Sequence, residues 1–215
     1  MCYSAPVSFI LSGVLTVVGA LTIASVKNKS HLMFASIPLL FAVQQAAEGV
    51  VWLACCQPQY GCYTGQATYV FLFFAFVIWP CWMPLSLWMM EKNPMSKKIL
   101  KALCVLGAMY GAYTTIMMML YNVHADVAGH SIRYNIVGYN GFLWILDFLM
   151  YQIPTVLPFF VSRVPGVWII GSAVTGSLIF TYYFMQATLV SVWCFFAAAI
   201  SMMILWVVRN IKNTD

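Results

Sequence analysis

Two carboxylates lie inside stretches of this sequence that are otherwise apolar. Glu48 belongs to LLFAVQQAAEGVVWLA (39–54), and Asp147 belongs to the apolar stretch 139–161. An ionised carboxylate is costly in hydrocarbon, so such an acid takes up a proton, reaches water or a cation, or finds hydrogen-bond donors. The predicted spans place the two acids at nearly the same depth in the membrane, and no Lys or Arg shares that depth. We therefore expect Glu48 and Asp147 to be protonatable or ion-coordinating groups that face each other across a shared pocket.

The residues around Glu48 have the spacing of one helix face. Gln44 and Gln45 precede Glu48 by four and three residues, and Trp52 follows it by four. Side chains at these spacings are neighbours on a helix, and the two amides can donate hydrogen bonds to the carboxylate. Two interpretations follow and stay open. Gln44, Gln45 and Glu48 form a hydrogen-bond clamp between helices together with Asp147, or these groups bind a ligand, a proton or an ion.

Aromatic residues accompany the second acid. Tyrosines are frequent at the membrane surface, but Tyr113 and Tyr151 are expected to lie deeper than that layer. The pattern predicts a polar cavity, lined by aromatic side chains and open to the outside. Its candidate binding residues are Gln44, Gln45, Glu48, Trp52, Tyr113, Asp147 and Tyr151.

The composition predicts the elements that position these residues. Of the 215 residues, 63% are hydrophobic and only 7% are charged, which is typical of an integral membrane protein. Several apolar stretches reach the ~20 residues that cross a bilayer as a helix. We predict an all-α integral membrane protein with one domain, 1–215, made of seven transmembrane helices. The predicted spans are 6–26, 32–54, 68–90, 99–121, 139–161, 167–184 and 188–208, with a turn at 185–187.

The basic residues predict the orientation. Nine of the ten Lys and Arg residues fall on one side of the predicted bundle, and Arg133 alone falls on the other. The positive-inside rule then places the N-terminus outside and the C-terminus in the cytoplasm. A basic cytoplasmic surface favours contact with anionic membrane lipids over nucleic acid. The expected location is the cytoplasmic (inner) membrane of a bacterium.

Four of the seven cysteines, Cys2, Cys55, Cys56 and Cys62, are predicted at the outer side. In an oxidising compartment we expect a disulfide that joins Cys62 to Cys55 or Cys56. Removal of Met1 would place a free amine beside the Cys2 thiol. That pair, with Glu48, is a candidate metal site.

Missing residues exclude some seven-helix functions. A retinal protein needs a lysine in its last helix, but the sequence has none between Lys101 and Lys212. A histidine-dependent membrane hydrolase is excluded because His31, His124 and His130 all lie in predicted connections.

Two functions remain. The first is binding or transport of a small solute, ion or lipid-like ligand through the outward-facing cavity. The alternative is a membrane enzyme or metal-binding protein that uses Cys2 and Glu48 at the extracytoplasmic face. The cofactor, beyond a possible metal ion, and the oligomeric state are left open.

Two motifs carry a resemblance to a known family. The opening MCYSA and the pattern QQxxEGxxW, which covers Gln44 to Trp52, resemble an uncharacterised bacterial family of multipass membrane proteins. Members of that family have Phe where this sequence has Tyr3. The resemblance covers the first quarter of the chain and implies no particular reaction, but it adds weight to Cys2 and Glu48 as partners.

Overall fold

The computed structural model describes residues 5–129, 131–136 and 144–210, and within them the chain is mostly helical. Among these residues, six helices are long and apolar enough to cross a membrane, which agrees with the predicted helical membrane protein. A shorter apolar helix, Ile145–Val161, lies between the fourth and the last two. The helices are α1 (Ala5–Ala24), α2 (Lys29–Cys56), α3 (Pro58–Met90), α4 (Pro94–Leu120), α5 (Ile145–Val161), α6 (Val167–Phe184) and α7 (Gln186–Asn210).

The helix ends follow most of the predicted spans, with some differences. Helix α6 ends at Phe184 and α7 begins at Gln186, on either side of the predicted turn. Helix α3 begins at Pro58, ten residues before the predicted start, because 58–63 continue into it as a short 3-10 turn. The predicted start of the fifth span, 139, lies outside the described residues.

Two prolines in α3 leave backbone carbonyls that α4 covers. Pro80 and Pro84 have no N–H, so the carbonyls of Phe76 and Pro80 lose their usual helical donors. The hydroxyl of Thr114 donates to the Phe76 carbonyl oxygen at 3.2 Å. At Gly107, a Cβ atom would lie 1.9 Å from the Pro80 carbonyl oxygen, so only glycine allows this approach of the two backbones. Helix α4 is therefore held closely against the irregular part of α3.

A β-hairpin joins α4 to α5, in a region predicted only as a connection. Strands β1 (Val123–Ala128) and β2 (Ser131–Ile136) are antiparallel, with Gly129 at positive φ in the turn. Asp126 lies opposite Arg133, and their side chains form an ion pair at 2.6 Å. This pair is exposed, and hydrogen bonding to Asp126 raises the pKa of the Arg133 guanidinium. The β-hairpin is therefore an addition to the predicted all-α fold.

The other face of the hairpin is buried against the helices. Ile132 is fully buried in a cluster with Val51, Trp52 and Val192. The ring of Tyr134 stacks on that of Phe71 with centroids 5.0 Å apart. A two-stranded hairpin is marginal on its own, so these apolar contacts are what stabilise it. We call this side of the bundle the hairpin end.

The opposite side, which we call the basic end, carries Lys27, Lys29, Lys92, Lys97, Lys98, Lys101, Arg163 and Arg209. A buried carboxylate, Glu91, ties two of its turns together. It accepts hydrogen bonds from Asn93 N at 2.8 Å, Ser162 Oγ at 3.1 Å and Arg163 N at 2.8 Å. Glu91 directly follows α3, and its partners Ser162 and Arg163 directly follow α5. The network therefore fixes the ends of both helices.

Candidate functional site

Glu48 is buried between α2 and α7, with hydrogen bonds to both carboxylate oxygens. Its side chain is 3% exposed. Oε2 accepts from Gln45 Nε2 at 3.2 Å, and Oε1 accepts from the hydroxyl of Ser191. The contact with Gln45 is the one that the helix spacing predicted, whereas Ser191 lies 143 residues away in the chain. These contacts are of the kind that the interhelical clamp requires.

Gln44, the other glutamine of the predicted face, links α2 to α3. The indole Nε1 of Trp79 donates to Gln44 Oε1 at 2.7 Å, and the Trp79 ring stacks on Phe41 with centroids 3.9 Å apart. Cys194 of α7 lies near both Gln44 and Glu48. The polar face of α2 is thus buried in the bundle, as its sequence predicted.

Several polar atoms of this layer are buried without a hydrogen-bond partner in the described part of the chain. They are Gln44 Nε2, Gln45 Oε1, Trp52 Nε1, Thr68 Oγ1 and Tyr134 Oη. Burial raises the pKa of the Tyr134 phenol well above its ordinary value, and the nearby Glu48 adds to the effect. The phenol is therefore a neutral group. Buried polar groups are normally satisfied, so this layer is suited to hold ordered water or a small polar ligand.

Asp147 belongs to a different place, a partly open cavity between α3, α4, α5 and α7. The cavity has a volume of about 210 Å³. Asp147 accepts a hydrogen bond from the hydroxyl of Tyr110, which lines the same cavity. A smaller cavity of about 70 Å³ also has Asp147 and Tyr110 in its wall and reaches Val123 of the hairpin. Asp147 therefore lies in accessible space towards the hairpin end.

Gln152 is a lining residue of the larger cavity that the sequence pattern did not indicate. Both atoms of its terminal amide are buried, and neither has a hydrogen-bond partner within residues 5–129, 131–136 and 144–210. The amide carries one acceptor and two donor hydrogens, and no described residue satisfies them. The only sequence signal is an isolated amide in an apolar helix, five residues after Asp147.

The predicted site residues divide between these two places. Tyr151 lines the larger cavity with Asp147, and Tyr113 lines the smaller one. Gln44, Gln45, Glu48 and Trp52 belong to the layer around Glu48. The described contacts of the two acids do not include each other, since Glu48 is bound by Gln45 and Ser191 and Asp147 by Tyr110. Cys194 links the two places because it lines the cavity and also interacts with Glu48.

The predicted disulfide and metal site stay predictions. Cys55, Cys56 and Cys62 are free thiols, and the Cys55 thiol donates to the Ala125 carbonyl of the hairpin at 3.6 Å. Cys2 lies outside the described residues, which begin at Ala5. Among those residues, no group of three or more His, Cys, Asp or Glu side chains is arranged to hold a metal ion.

Comparison with known proteins places the whole chain in one family. Residues 1–215 match the model of a family of unknown function, DUF6629, so the chain belongs to that family. This agrees with the resemblance to an uncharacterised family. No curated protein and no solved structure gives a significant match to the chain.

Proposed function

We propose that this protein binds a small solute in the cavity beside Asp147 and acts as a carrier or ligand-binding protein of the membrane. In this proposal α5 crosses the membrane with the six longer helices, which makes seven spans. The N-terminus and the hairpin lie outside, and the basic end faces the cytoplasm, as the positive-inside rule requires. The membrane is the cytoplasmic membrane of a bacterium. The cavity then opens towards the outer side.

The observation that carries the proposal is a cavity with two polar groups in an otherwise apolar wall. The cavity of about 210 Å³ is lined by Asp147, whose carboxylate accepts from Tyr110, and by Gln152, whose amide has no hydrogen-bond partner among the described residues. Its other lining residues are mainly aromatic or aliphatic. Ligand sites typically combine an apolar wall with a few polar groups that orient the ligand.

In this proposal Glu48 helps to hold one wall of the cavity in position. Its two hydrogen bonds join α2 to α7, and α7 contributes Leu189, Val190, Trp193 and Cys194 to the cavity wall. A shift in the Glu48 contacts would therefore move one wall of the cavity. A direct contact of Glu48 with the solute, which the sequence suggested, stays a prediction.

The test uses the same substitution at two buried alanines of α3. Ala75 lines the cavity, whereas Ala67 packs in the cluster at the hairpin end. Ala75→Leu would fill part of the cavity, and Ala67→Leu is the matched control for overpacking. Both variants and the wild-type protein are melted in nanodiscs against a panel of amines, amino acids, polyols and carboxylates with ten or fewer non-hydrogen atoms.

At least one class of solute should raise the melting temperature of the wild-type protein and of Ala67→Leu, with a smaller rise in Ala75→Leu. A ligand at a concentration of 100 times its Kd adds ~2.7 kcal/mol to the stability of the state that binds it, which is readily measured. If no solute stabilises the wild-type protein, or if Ala75→Leu is stabilised equally, the proposed function is wrong.

A further inference from the structure

We propose that the solute is a small organic cation, an ammonium compound held against Asp147 with a second polar group directed to Gln152. This inference rests on the proposed function, because it names the ligand class of the same cavity. Three features support it: the charge of the lining, its aromatic rings and its size.

The charge of the lining favours a cation. Asp147 is an acid, and the described residues that line the two cavities include no Lys, Arg or His. The hairpin does carry a cation, Arg133, but it is exposed and paired with Asp126. A positively charged solute would therefore meet Asp147 without a competing cation from the walls. Beside an apolar wall, which lowers the local dielectric, that attraction is stronger than in bulk water.

Aromatic rings surround the same space, with Tyr151 at their centre. The centroid of the Tyr151 ring lies 5.7 Å from that of Tyr110, 5.7 Å from that of Trp193 and 5.8 Å from that of Phe76. All four side chains line the cavity of about 210 Å³. Ammonium groups bind to aromatic faces through the ring quadrupole, and several rings around one acid are a recognised arrangement for quaternary ammonium ligands.

The size of the cavity limits the cation to a small molecule. A volume of about 210 Å³ is below the ~300–1,000 Å³ of pockets that hold drug-sized ligands. A compact solute with few non-hydrogen atoms suits such a space. Gln152 lies five residues after Asp147 in α5, and both side chains line the same cavity. A small molecule with its ammonium group at Asp147 can direct a hydroxyl or carbonyl towards Gln152.

An inorganic cation fits these groups less well. A metal ion such as Ca²⁺ needs six to eight oxygen ligands at ~2.3–2.6 Å. The carboxylate of Asp147 and the amide of Gln152 belong to positions separated by five residues, and the rest of the wall is mainly aromatic or aliphatic. These two groups cannot surround one ion, but they can bind the two ends of one organic molecule.

The experiment compares two molecules of the same shape that differ in charge. Choline has seven non-hydrogen atoms, with a quaternary ammonium at one end and a hydroxyl at the other. Its neutral isostere, 3,3-dimethylbutan-1-ol, replaces the nitrogen by carbon. Binding of labelled choline to the full-length protein in nanodiscs is measured at equilibrium, and unlabelled choline or the isostere is used as competitor. The variants are Asp147→Asn and, as control, Asp126→Asn, which removes the same charge from the exposed hairpin.

We expect saturable choline binding that the isostere displaces at least about tenfold less effectively than choline. Asp147→Asn should weaken binding at least about tenfold, and Asp126→Asn should leave it unchanged. If the isostere competes as well as choline, the cation inference is wrong while the proposed cavity stands. If choline does not bind the wild-type protein, or binds Asp147→Asn equally, the cation inference is also wrong. The proposed function is judged separately, by the response of Ala75→Leu to the solute panel.

Discussion

Replacement of Glu48 by Gln and by Ala should separate the charge of this residue from its hydrogen bonds. In Glu48→Gln, the amide oxygen can still accept from the Ser191 hydroxyl, which now bonds to Glu48 Oε1. The new NH₂ group can donate to Gln45 Oε1, which has no partner among the described residues, once the Gln45 amide turns over. The number of hydrogen bonds is thus preserved, and we expect a loss of stability of at most ~1 kcal/mol.

Glu48→Ala removes both acceptors and leaves a cavity. The side chain is almost fully buried, so truncation should cost ~2–5 kcal/mol by analogy with other buried side chains. The two lost hydrogen bonds contribute to that total, at ~0.6 kcal/mol each on average within a membrane and up to ~1.7 kcal/mol. We therefore expect ~3 kcal/mol or more for Glu48→Ala, about three times the largest loss expected for Glu48→Gln.

The assay is reversible unfolding in mixed micelles with increasing SDS, for wild type, both Glu48 variants and Ser191→Ala. A double-mutant cycle between Glu48→Ala and Ser191→Ala should give a coupling of ~1 kcal/mol if the two side chains are bonded. If Glu48→Gln loses as much stability as Glu48→Ala, then the charge itself is required and the clamp interpretation is refuted. If Glu48→Gln keeps its stability but loses solute binding, Glu48 has the direct ligand role that the sequence suggested.

Three further predictions concern the backbone contact of α4, the topology and the cysteines. Gly107→Ala should destabilise the protein by ~1–3 kcal/mol in the same unfolding assay, because its Cβ would meet the Pro80 carbonyl. Gly13→Ala, where a Cβ meets nothing within 4 Å, should have no such cost, and an equal loss in both variants would contradict the close approach. A tag placed after the last residue should be labelled only from the cytoplasmic side in intact cells, and labelling only from outside would overturn the orientation. Cys62 should resist alkylation until the protein is reduced, whereas its full alkylation without reduction would rule out the predicted disulfide.

The helical architecture could be predicted because apolar stretches of the right length are a direct signal of membrane-crossing helices. The buried face of α2 could also be predicted, since Gln44, Gln45 and Glu48 are local neighbours along one helix. The partners of this face could not be predicted. Ser191 and Trp79 reach Glu48 and Gln44 through tertiary packing, and a single Ser or Trp in an apolar helix carries no pattern that names its partner.

The hairpin was missed although the sequence carries a weak signal for it. Ile132 and Tyr134 alternate with the exposed Arg133 and Asn135, and Gly129 supplies the turn. Such alternation is the mark of a half-buried strand, but it is short and lies between long apolar helices that dominate the pattern. Glu91 was missed for a different reason. It lies just beyond the end of α3, where an acid is ordinarily solvated. Its burial depends on Ser162 and Arg163, which are 71 and 72 positions later in the chain.

The different partners of the two acids also could not be foreseen. The sequence predicts similar depths for Glu48 and Asp147, but depth does not determine the direction in which each side chain points around the bundle axis. In the structure Glu48 packs against α7, whereas Asp147 binds Tyr110 of α4. The cavity therefore has Asp147 in its wall and not Glu48, and Cys194 lines the cavity and also lies near Glu48.

The central claim, that a small solute occupies the cavity beside Asp147, is tested most directly by a high-resolution experimental density map of the protein in nanodiscs, prepared without added ligand. The proposal predicts compact density of a small molecule in the cavity, in contact with the Asp147 carboxylate and the Gln152 amide. Continuous density of a lipid acyl chain in that space, a collapsed cavity, or an Asp147 side chain turned towards lipid would contradict it.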